Sequence, residues 1–200
     1  MAVIVRGSAV SGQAAGATSG NFTISTPSAT VSGDYLLVIL STNKDTVTAP
    51  SGWTVLQNGQ SASLPWQSIV YGRTATASGV TNYTWNLSNT TAAPNVAVCW
   101  AFGNVDTAHI VSAKGVEDTT PPATTPTITT TVPSLSVHLV GDRRGSTPSI
   151  TWTYPSGTKA EGTNDGSVGY STFEVPGTAY SYMLGLDGPQ FLAFGNYAAG

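Results

Sequence analysis

Charged residues are scarce in this chain. Seven Lys and Arg and ten Asp and Glu make up 8% of its 200 residues, whereas about a quarter is usual in soluble domains. The formal net charge is −3 at pH 7, and no basic cluster exceeds Arg143-Arg144. Because so few cations attract phosphate groups only weakly, we expect neither nucleic acid nor an anionic membrane surface as a partner.

Long apolar runs are absent as well. No stretch approaches the roughly 20 apolar residues that a transmembrane helix needs. The N-terminal residues "MAVIVRGSAV" lack the basic start and the long apolar segment of a secretory signal. We therefore expect synthesis in a reducing cytoplasm, without export through a leader and without membrane insertion.

Cysteine occurs once, as Cys99, which excludes an internal disulfide. It stands between Val98 and Trp100 in the most apolar part of the chain. A nucleophilic cysteine needs an electropositive and partly open setting. We expect Cys99 to be an unreactive core residue in a central strand.

Recognisable motifs of catalysis and metal binding are missing too. His109 and His138 have no second histidine at metal-ligand spacing, and there is no Gly-x-Ser-x-Gly turn. His138 is interpreted as an ordinary strand residue and His109 as a surface residue. Asp142 is expected to pair with the adjacent arginines in a loop, and residues 164–166, "NDG", are expected to form a hairpin turn. We expect no enzymatic activity, no cofactor and no metal ion, although paired carboxylates of a glycosidase act through space and leave no sequence motif.

Hydroxyl and turn residues are abundant: the chain has 30 Thr, 22 Ser, 22 Gly and 12 Pro. This composition is typical of short strands joined by tight turns. Residues 33–41, "GDYLLVILS", and 95–104, "NVAVCWAFGN", are apolar at successive positions. Strands buried on both faces show this pattern, so these two segments are predicted to be central in an all-β fold.

Several short segments occur twice in the same order. "AFGN" stands at 101–104 and again at 193–196, and "APSGW" (49–53) is matched by "YPSGT" (154–158). Further matches pair 35–42 with 135–142 and 82–89 with 179–186. Six matches in one order predict an internal duplication, with the phenylalanines of the two "AFGN" segments in equivalent buried positions.

The repeats suggest a division of the chain. Its parts are a small-residue N-terminal arm (1–20), a first β half (21–116), a Pro/Thr-rich connector (117–126) and a second β half (127–200). Each half is small for a core of its own, which favours one composite antiparallel β-sandwich of jelly-roll type. Two separate domains joined by the connector remain an alternative. The arm is expected to be flexible or to lie across a neighbouring copy as an extended strand.

Tryptophan is the one residue type that suggests a binding site. Trp85 and Trp100 lie among apolar strand residues and are expected in the core. The other three tryptophans stand near turns or loops: Trp53, Trp66 and Trp152. Exposed, they would stack on sugar rings or fill a partner's pocket, whereas packing in the core or under a loop is the alternative.

With these strands in place, the chain resembles a family of small β-sandwich virion proteins. They belong to tailed bacteriophages, especially those infecting actinobacteria, and are usually described as minor tail proteins. The segments that carry the resemblance are, in order, "VSGDYLLVILST", "APSGWTVLQNG", "IVYGRTATASG", "YTWNLS" and "WAFGNVDTAHIVSA". A second, degenerate pass of the same segments follows them.

The resemblance implies a non-enzymatic structural component of a virion, in a tail, tail tip or fibre, with the virion as its location. Other virion proteins and copies of the chain itself would be its partners, and a glycan of the host surface would be a further candidate. A decoration protein of the capsid head is one alternative. A non-catalytic carbohydrate-binding module using the loop tryptophans is another, and a glycan-cleaving enzyme is a third.

Overall fold

The computed structural model describes residues 3–42, 46–60, 67–114, 129, 134–143, 152–153, 178–187 and 198–199. Within these ranges the chain forms strands and turns and no helix, so the prediction of an all-β fold is confirmed. None of these residues belongs to a helix long and apolar enough to cross a membrane.

The described strands form three antiparallel sheets. The largest sheet contains β1 to β7, a second contains β8, β9 and β11, and a small one pairs β10 with β12. The strands are β1 (Ile4–Val5), β2 (Val10–Ser25), β3 (Tyr35–Thr42), β4 (Thr46–Thr48), β5 (Thr54–Gln60), β6 (Gln67–Thr74), β7 (Asn82–Gly103), β8 (Asp106–Lys114), β9 (Ser134–Arg143), β10 (Trp152–Thr153), β11 (Thr178–Asp187) and β12 (Ala198–Ala199).

Strand β3 lies at the centre of the large sheet. It pairs with β6 on one side and with residues 96–102 of β7 on the other. All eight of its residues are buried. Because successive side chains of a strand point to opposite faces, the even-numbered residues of β3 enter one core and the odd-numbered residues enter another. The two segments predicted to be central are thus neighbours in the middle of the sheet.

Strands β2 and β7 pair along most of their length and fold over together. Residues 19–25 pair with 82–88, and residues 10–14 pair with 95–99. Between them the register shifts twice, at residues 14–17 and 17–19. Such irregularities bend strands and let them pass from one layer of a sandwich to the other. A Cβ added to Gly12 would lie 3.3 Å from the ring of Phe22, so the two halves of β2 pack against each other.

The predicted division of the chain stays a prediction, but the structure shows that part of the predicted arm lies in a strand of the large sheet. Residues 10–20 belong to β2, which continues without a break to Ser25 and pairs within its own chain. Residues 14–17 are all alanine or glycine, and the first register shift falls on them. Pro94 lies in the same irregular stretch of β7, where a missing N–H is tolerated.

The first core fills the space between the folded-over ribbon and the central strands. Ring and aliphatic side chains from both layers meet in it, and Trp85 is fully buried at its middle. The buried members are Phe22, Ile24, Leu36, Val38, Leu40, Trp53, Ile69, Tyr71, Ala75, Trp85, Leu87, Ala97, Cys99 and Ala101.

The second core lies on the opposite face of the large sheet. Leu135, Val137 and Leu139 of β9 pack there against the odd-numbered residues of β3. Strand β9 pairs with β11, and β11 pairs with β8, which comes directly after β7. The covering sheet thus takes strands from both sides of residues 117–126, a segment outside the described residues. Antiparallel sheets packed face to face agree with the predicted sandwich.

Polar side chains replace apolar ones at the far end of β3. Thr42 donates a hydrogen bond of 2.5 Å to Oδ1 of Asn95, and Ser41 donates one of 3.1 Å to Ser68. All four side chains are buried. Buried polar groups are tolerated when they are paired in this way, and the pairs connect β3 to both of its neighbours.

The described pairings of the second half do not repeat those of the first. By the sequence match, residues 135–142 correspond to 35–42 and 179–186 to 82–89. Strands β9 and β11 pair with each other, whereas β3 pairs with β6 and with the later part of β7. The second "AFGN" segment lies outside the described residues, so the internal duplication and the jelly-roll topology stay predictions.

The tight packing of β6 against β3 predicts the effect of one substitution. A Cβ added to Gly72 would collide with the ring and hydroxyl of Tyr35 and would lie 3.1 Å from Leu56. We expect Gly72→Ala to lower the free energy of unfolding by about 2 kcal/mol, as overpacking usually does. Urea denaturation measures this change.

Thr74→Ala is the matched control, because Thr74 is an exposed residue of the same strand. Its effect should stay within about 0.5 kcal/mol. An unfolding midpoint of the Gly72→Ala protein equal to that of the wild type would show that β6 is packed differently.

Candidate functional site

Several turns meet at one end of the first core. Strand β2 ends there and β3 begins, while β6 ends and β7 begins. The turn that leads into β5 lies beside them, since Thr54 pairs with Gly72. We call this region the turn end and define it as residues 26–34, 49–53 and 74–83.

Backbone and hydroxyl hydrogen bonds lock two of these turns together. Residues 26–33 and 75–81 are joined by six bonds of 2.8 to 3.0 Å, one of them from Thr81 N to Thr26 Oγ1. The donors and acceptors of the others are Thr26 N to Thr81 O, Thr26 Oγ1 to Gly79 O, Gly79 N to Thr30 O, Gly33 N to Ala75 O and Ser32 N to Ser78 Oγ. Turns that satisfy one another in this way present a pre-organised surface.

A buried ion pair ties the N-terminal segment to the turn end. The carboxylate of Asp34, whose side chain is 4% exposed, accepts hydrogen bonds from Nε of Arg6 at 3.1 Å and from the N–H of Val31 at 2.6 Å. The Arg6 side chain packs so close to Gly103 that a Cβ there would lie 2.7 Å from Nη2. Both charges are neutralised by each other, so we assign this pair a structural role.

Four aromatic rings form a cluster beneath the turn end. The ring of Trp53 lies 5.2 Å from those of both Tyr83 and Trp85, and Tyr71 lies 5.7 Å from Trp85. The indole N–H groups of Trp53 and Trp85 are buried and have no hydrogen-bond partner in the described part of the chain. Each unpaired donor costs about 1–3 kcal/mol, which the burial of the large rings must offset.

Of the two interpretations left open for Trp53, exposure for binding and packing in the core, the described contacts show the second. Trp53 is only 9% exposed and belongs to the first core. The turn before it folds back, with Gly52 at a φ of 86° and the N–H of Trp53 bonded to the carbonyl of Pro50, and the ring packs beneath the turn. A position after a turn therefore did not mean exposure.

The other two candidate tryptophans are not brought into this cluster by any described contact. Trp66 lies outside the described residues. Trp152 belongs to β10 and pairs through its backbone with Ala199, while its side chain is not described. Their proposed role in binding stays a prediction.

Arg73 is a feature of the turn end that the sequence analysis missed. Its guanidinium carbon lies 4.6 Å from the centre of the Tyr83 ring and 5.7 Å from that of Trp53. Nε donates to the carbonyl of Thr74 at 3.2 Å, and Nη1 donates to that of Ser51 at 3.1 Å. The alternation of "SIVYGRT" places Arg73 on the same face as Tyr71, so a signal was present.

Among the other titratable candidates, the structure describes the contacts of His109 and its partner Asp106. His109 lies 3.0 Å from the carboxylate of Asp106 on the surface, and hydrogen bonds from Ala108 N and from this histidine lower the pKa of Asp106. The side chains of His138 and Asp142 in β9 are not described, and residues 164–166 lie outside the described ranges. In those ranges no three His, Cys, Asp or Glu residues are grouped to hold a metal ion.

Comparisons of the chain with models of known families, with curated proteins and with solved structures gave no match. Inference about function therefore rests on the chemistry and geometry of this chain and on the resemblance of its sequence segments.

Burial predicts how Cys99 behaves towards a thiol reagent. Cys99 lies in β7 between β3 and β2, is fully buried, and has a thiol pKa raised by burial to about 12. At mildly alkaline pH the native thiol stays protonated and inaccessible, so we expect negligible reaction with an aromatic disulfide reagent and full reaction in denaturing urea.

An exposed cysteine provides the control. Thr76 is exposed at the turn end, so a Thr76→Cys variant should react rapidly at one of its two thiols. Full reaction of the native wild-type protein within minutes would contradict the buried position of Cys99.

Proposed function

We propose that this chain is a non-enzymatic structural protein of a tailed-bacteriophage virion, built in several copies into the tail, tail tip or fibre. The ordered segments from "VSGDYLLVILST" to "WAFGNVDTAHIVSA" support the proposal through their resemblance to minor tail proteins. The all-β architecture supports it because the first of these segments contains the buried central strand β3, and residues 31–34, 49–53 and 74–79 of the first three segments lie together in the turn end.

The observation that carries the proposal is an open sheet edge. Strand β1 and residues 10–14 of β2 lie in succession along one edge of β7, opposite β3. No described strand pairs with the outer side of β1 or β2. An edge with free N–H and C=O groups accepts a further strand.

The opposite edge of the same sheet is covered. Backbone carbonyls of β5 accept hydrogen bonds from β8 side chains: Nζ of Lys114 donates to Asn58 O at 2.9 Å, and Oγ of Ser112 donates to Leu56 O at 3.4 Å. Side chains that cap backbone groups protect an edge from pairing with another chain. The contrast singles out the β1–β2 edge as the place where a neighbouring copy would join.

Low charge favours association at this edge. A net charge of −3 on 200 residues gives little repulsion between copies. Ile4 of β1 is an exposed apolar residue on the edge, with 42% of its surface accessible. The edge therefore combines backbone hydrogen bonding with an apolar contact. In this proposal the edge of a paired strand receives the neighbour, and no arm detaches from the body.

Two alternatives use the same features differently. A decoration protein of the capsid head would assemble through the same edge. A carbohydrate-binding module would depend on Trp66 and Trp152, because Trp53 is buried. Neither alternative has a described contact in its favour.

Assembly can be measured on the purified protein. We expect light scattering coupled to size exclusion to give a mass that is a multiple of the 20.5 kDa chain. Ile4→Lys should shift the protein towards the monomer, because it removes an apolar contact and places a charge on the edge. Val80→Lys is the control, since Val80 is 60% exposed in the turn between β6 and β7 and belongs to neither β1 nor β2.

A wild-type protein that stays monomeric at high concentration would contradict assembly through the edge. The location is tested separately, with antibodies to the purified protein and electron microscopy of the particles. Labelled tails support the proposal, labelled heads favour the decoration protein, and unlabelled particles overturn both.

A further inference from the structure

Arg73 is held in a fixed position at the turn end. The Tyr83 ring packs against its guanidinium, and a Cβ added to Gly52 would lie 3.4 Å from both Cζ and Nη2. The carbonyls of Ser51 and Thr74 anchor Nη1 and Nε. The N–H donors of a guanidinium all lie in its plane and point outward from its edge. The free donors of Arg73 are therefore at its edge.

Some N–H donors of the Arg73 guanidinium have no acceptor in the described part of the chain. A guanidinium carries five N–H donors, and two of those of Arg73 are used. Both donors of Nη2 and one of Nη1 remain. Two carboxylates have side chains that the structure describes, and neither pairs with Arg73: Asp34 is paired with Arg6 and Asp106 with His109. A half-buried cation without a counter-ion has a strong electrostatic preference for an anion.

The surroundings of Arg73 indicate what kind of molecule carries the anion. Val55 pairs directly with Tyr71, and Tyr71 and Arg73 point to the same face, so Val55 is the diagonal neighbour of Arg73. It is 53% exposed, although it is a large apolar residue. Arginine and tyrosine are enriched in protein–protein interfaces, and an exposed aliphatic side chain beside them adds apolar area for a partner to cover.

We propose that Arg73 binds a carboxylate side chain from an acidic segment of a partner protein. The two oxygens of the carboxylate accept in-plane bonds from Nη1 and Nη2, a geometry that a guanidinium matches and an ammonium group does not. An apolar residue next to the acidic one packs on Val55. A carboxylated sugar fits less well, because the Trp53 ring is buried and one face of Tyr83 is occupied by Arg73.

This inference goes beyond assembly at the β1–β2 edge, since it concerns residues of β5, β6 and β7 and does not depend on a virion. The two are distinguishable, because Ile4→Lys changes a residue of the edge and none that contacts Arg73. If the β1–β2 edge does not mediate assembly, the proposal for Arg73 is unaffected and is tested on its own.

Peptide titration of the full ¹⁵N-labelled chain tests the site. The probe is a short blocked peptide of alternating valine and glutamate, and the control peptide has glutamine in place of glutamate. We expect the glutamate peptide to shift the Nε–H resonance of Arg73 saturably and the glutamine peptide to leave it in place. Equal shifts with both peptides, or no shift with either, would overturn the proposal.

Variants separate the guanidinium from simple charge. Arg73→Lys keeps the charge and loses the planar pair of donors, so the glutamate peptide should bind about tenfold more weakly or worse. Lys114→Gln removes one positive charge at the opposite end of β5 and should leave the affinity unchanged. Weakening by Lys114→Gln together with unchanged binding by Arg73→Lys would mean that only net charge matters, which contradicts a specific site.

Two further measurements test whether Val55 contributes to binding and whether the ligand is a sugar. Val55→Ala changes an exposed residue outside the ring cluster, so it should weaken binding severalfold while the urea midpoint stays that of the wild type. A carboxylated oligosaccharide, such as a short polygalacturonate, forms the last arm. If it shifts the Arg73 resonance and the glutamate peptide does not, the ligand is a sugar and the partner proposal is wrong.

Discussion

Burial of β3 on both of its faces is the constraint on which the rest of the described structure depends. Its eight residues, Tyr35–Thr42, are all inaccessible to water, and each large aliphatic side chain among them contributes about 1.5–3 kcal/mol when buried. One strand with two apolar faces needs a cover on each side. The folded β2–β7 ribbon supplies one cover and β9 supplies the other. The long strands, the irregular bend at residues 14–19 and the crossing of β8 into the second sheet all serve this double cover.

The turn end is rigid because the same packing fixes the strands that lead into it. Because β2, β3, β6 and β7 are fixed in register, the turns between them meet and satisfy one another's backbone groups. The Arg6–Asp34 pair adds the N-terminal segment to this frame. Arg73 then stands on a platform that does not have to be ordered when a ligand binds. Pre-organisation of this kind reduces the entropic cost of association, which is why a single arginine there is worth testing as a contact residue.

The sequence analysis succeeded where the signal was local and failed where it required a partner. Alternation and continuous apolar runs identified β3 and the later part of β7 as central strands, and the setting of Cys99 in that part of β7 placed it in the core. The small residues at 10–20 were interpreted as an arm, because low bulk in sequence does not distinguish a free segment from a strand that bends against a neighbouring layer. Arg73 was passed over because one cation in a strand has no periodic pattern to mark it.

Composition, alternation and turn chemistry are properties of neighbouring residues, and they sufficed to specify an all-β chain, its central strands and the places where it turns. The exposure of a side chain is a property of what packs over it. Trp53 lies next to a turn, as its neighbours in sequence require, yet Tyr83 and Trp85, about thirty residues away in the chain, bury its ring. The same residues place an aromatic ring against Arg73 and leave its outer edge unpaired. Contacts between distant parts of the chain assigned those two roles, because burial and ion pairing depend on distance in space and not on position in sequence.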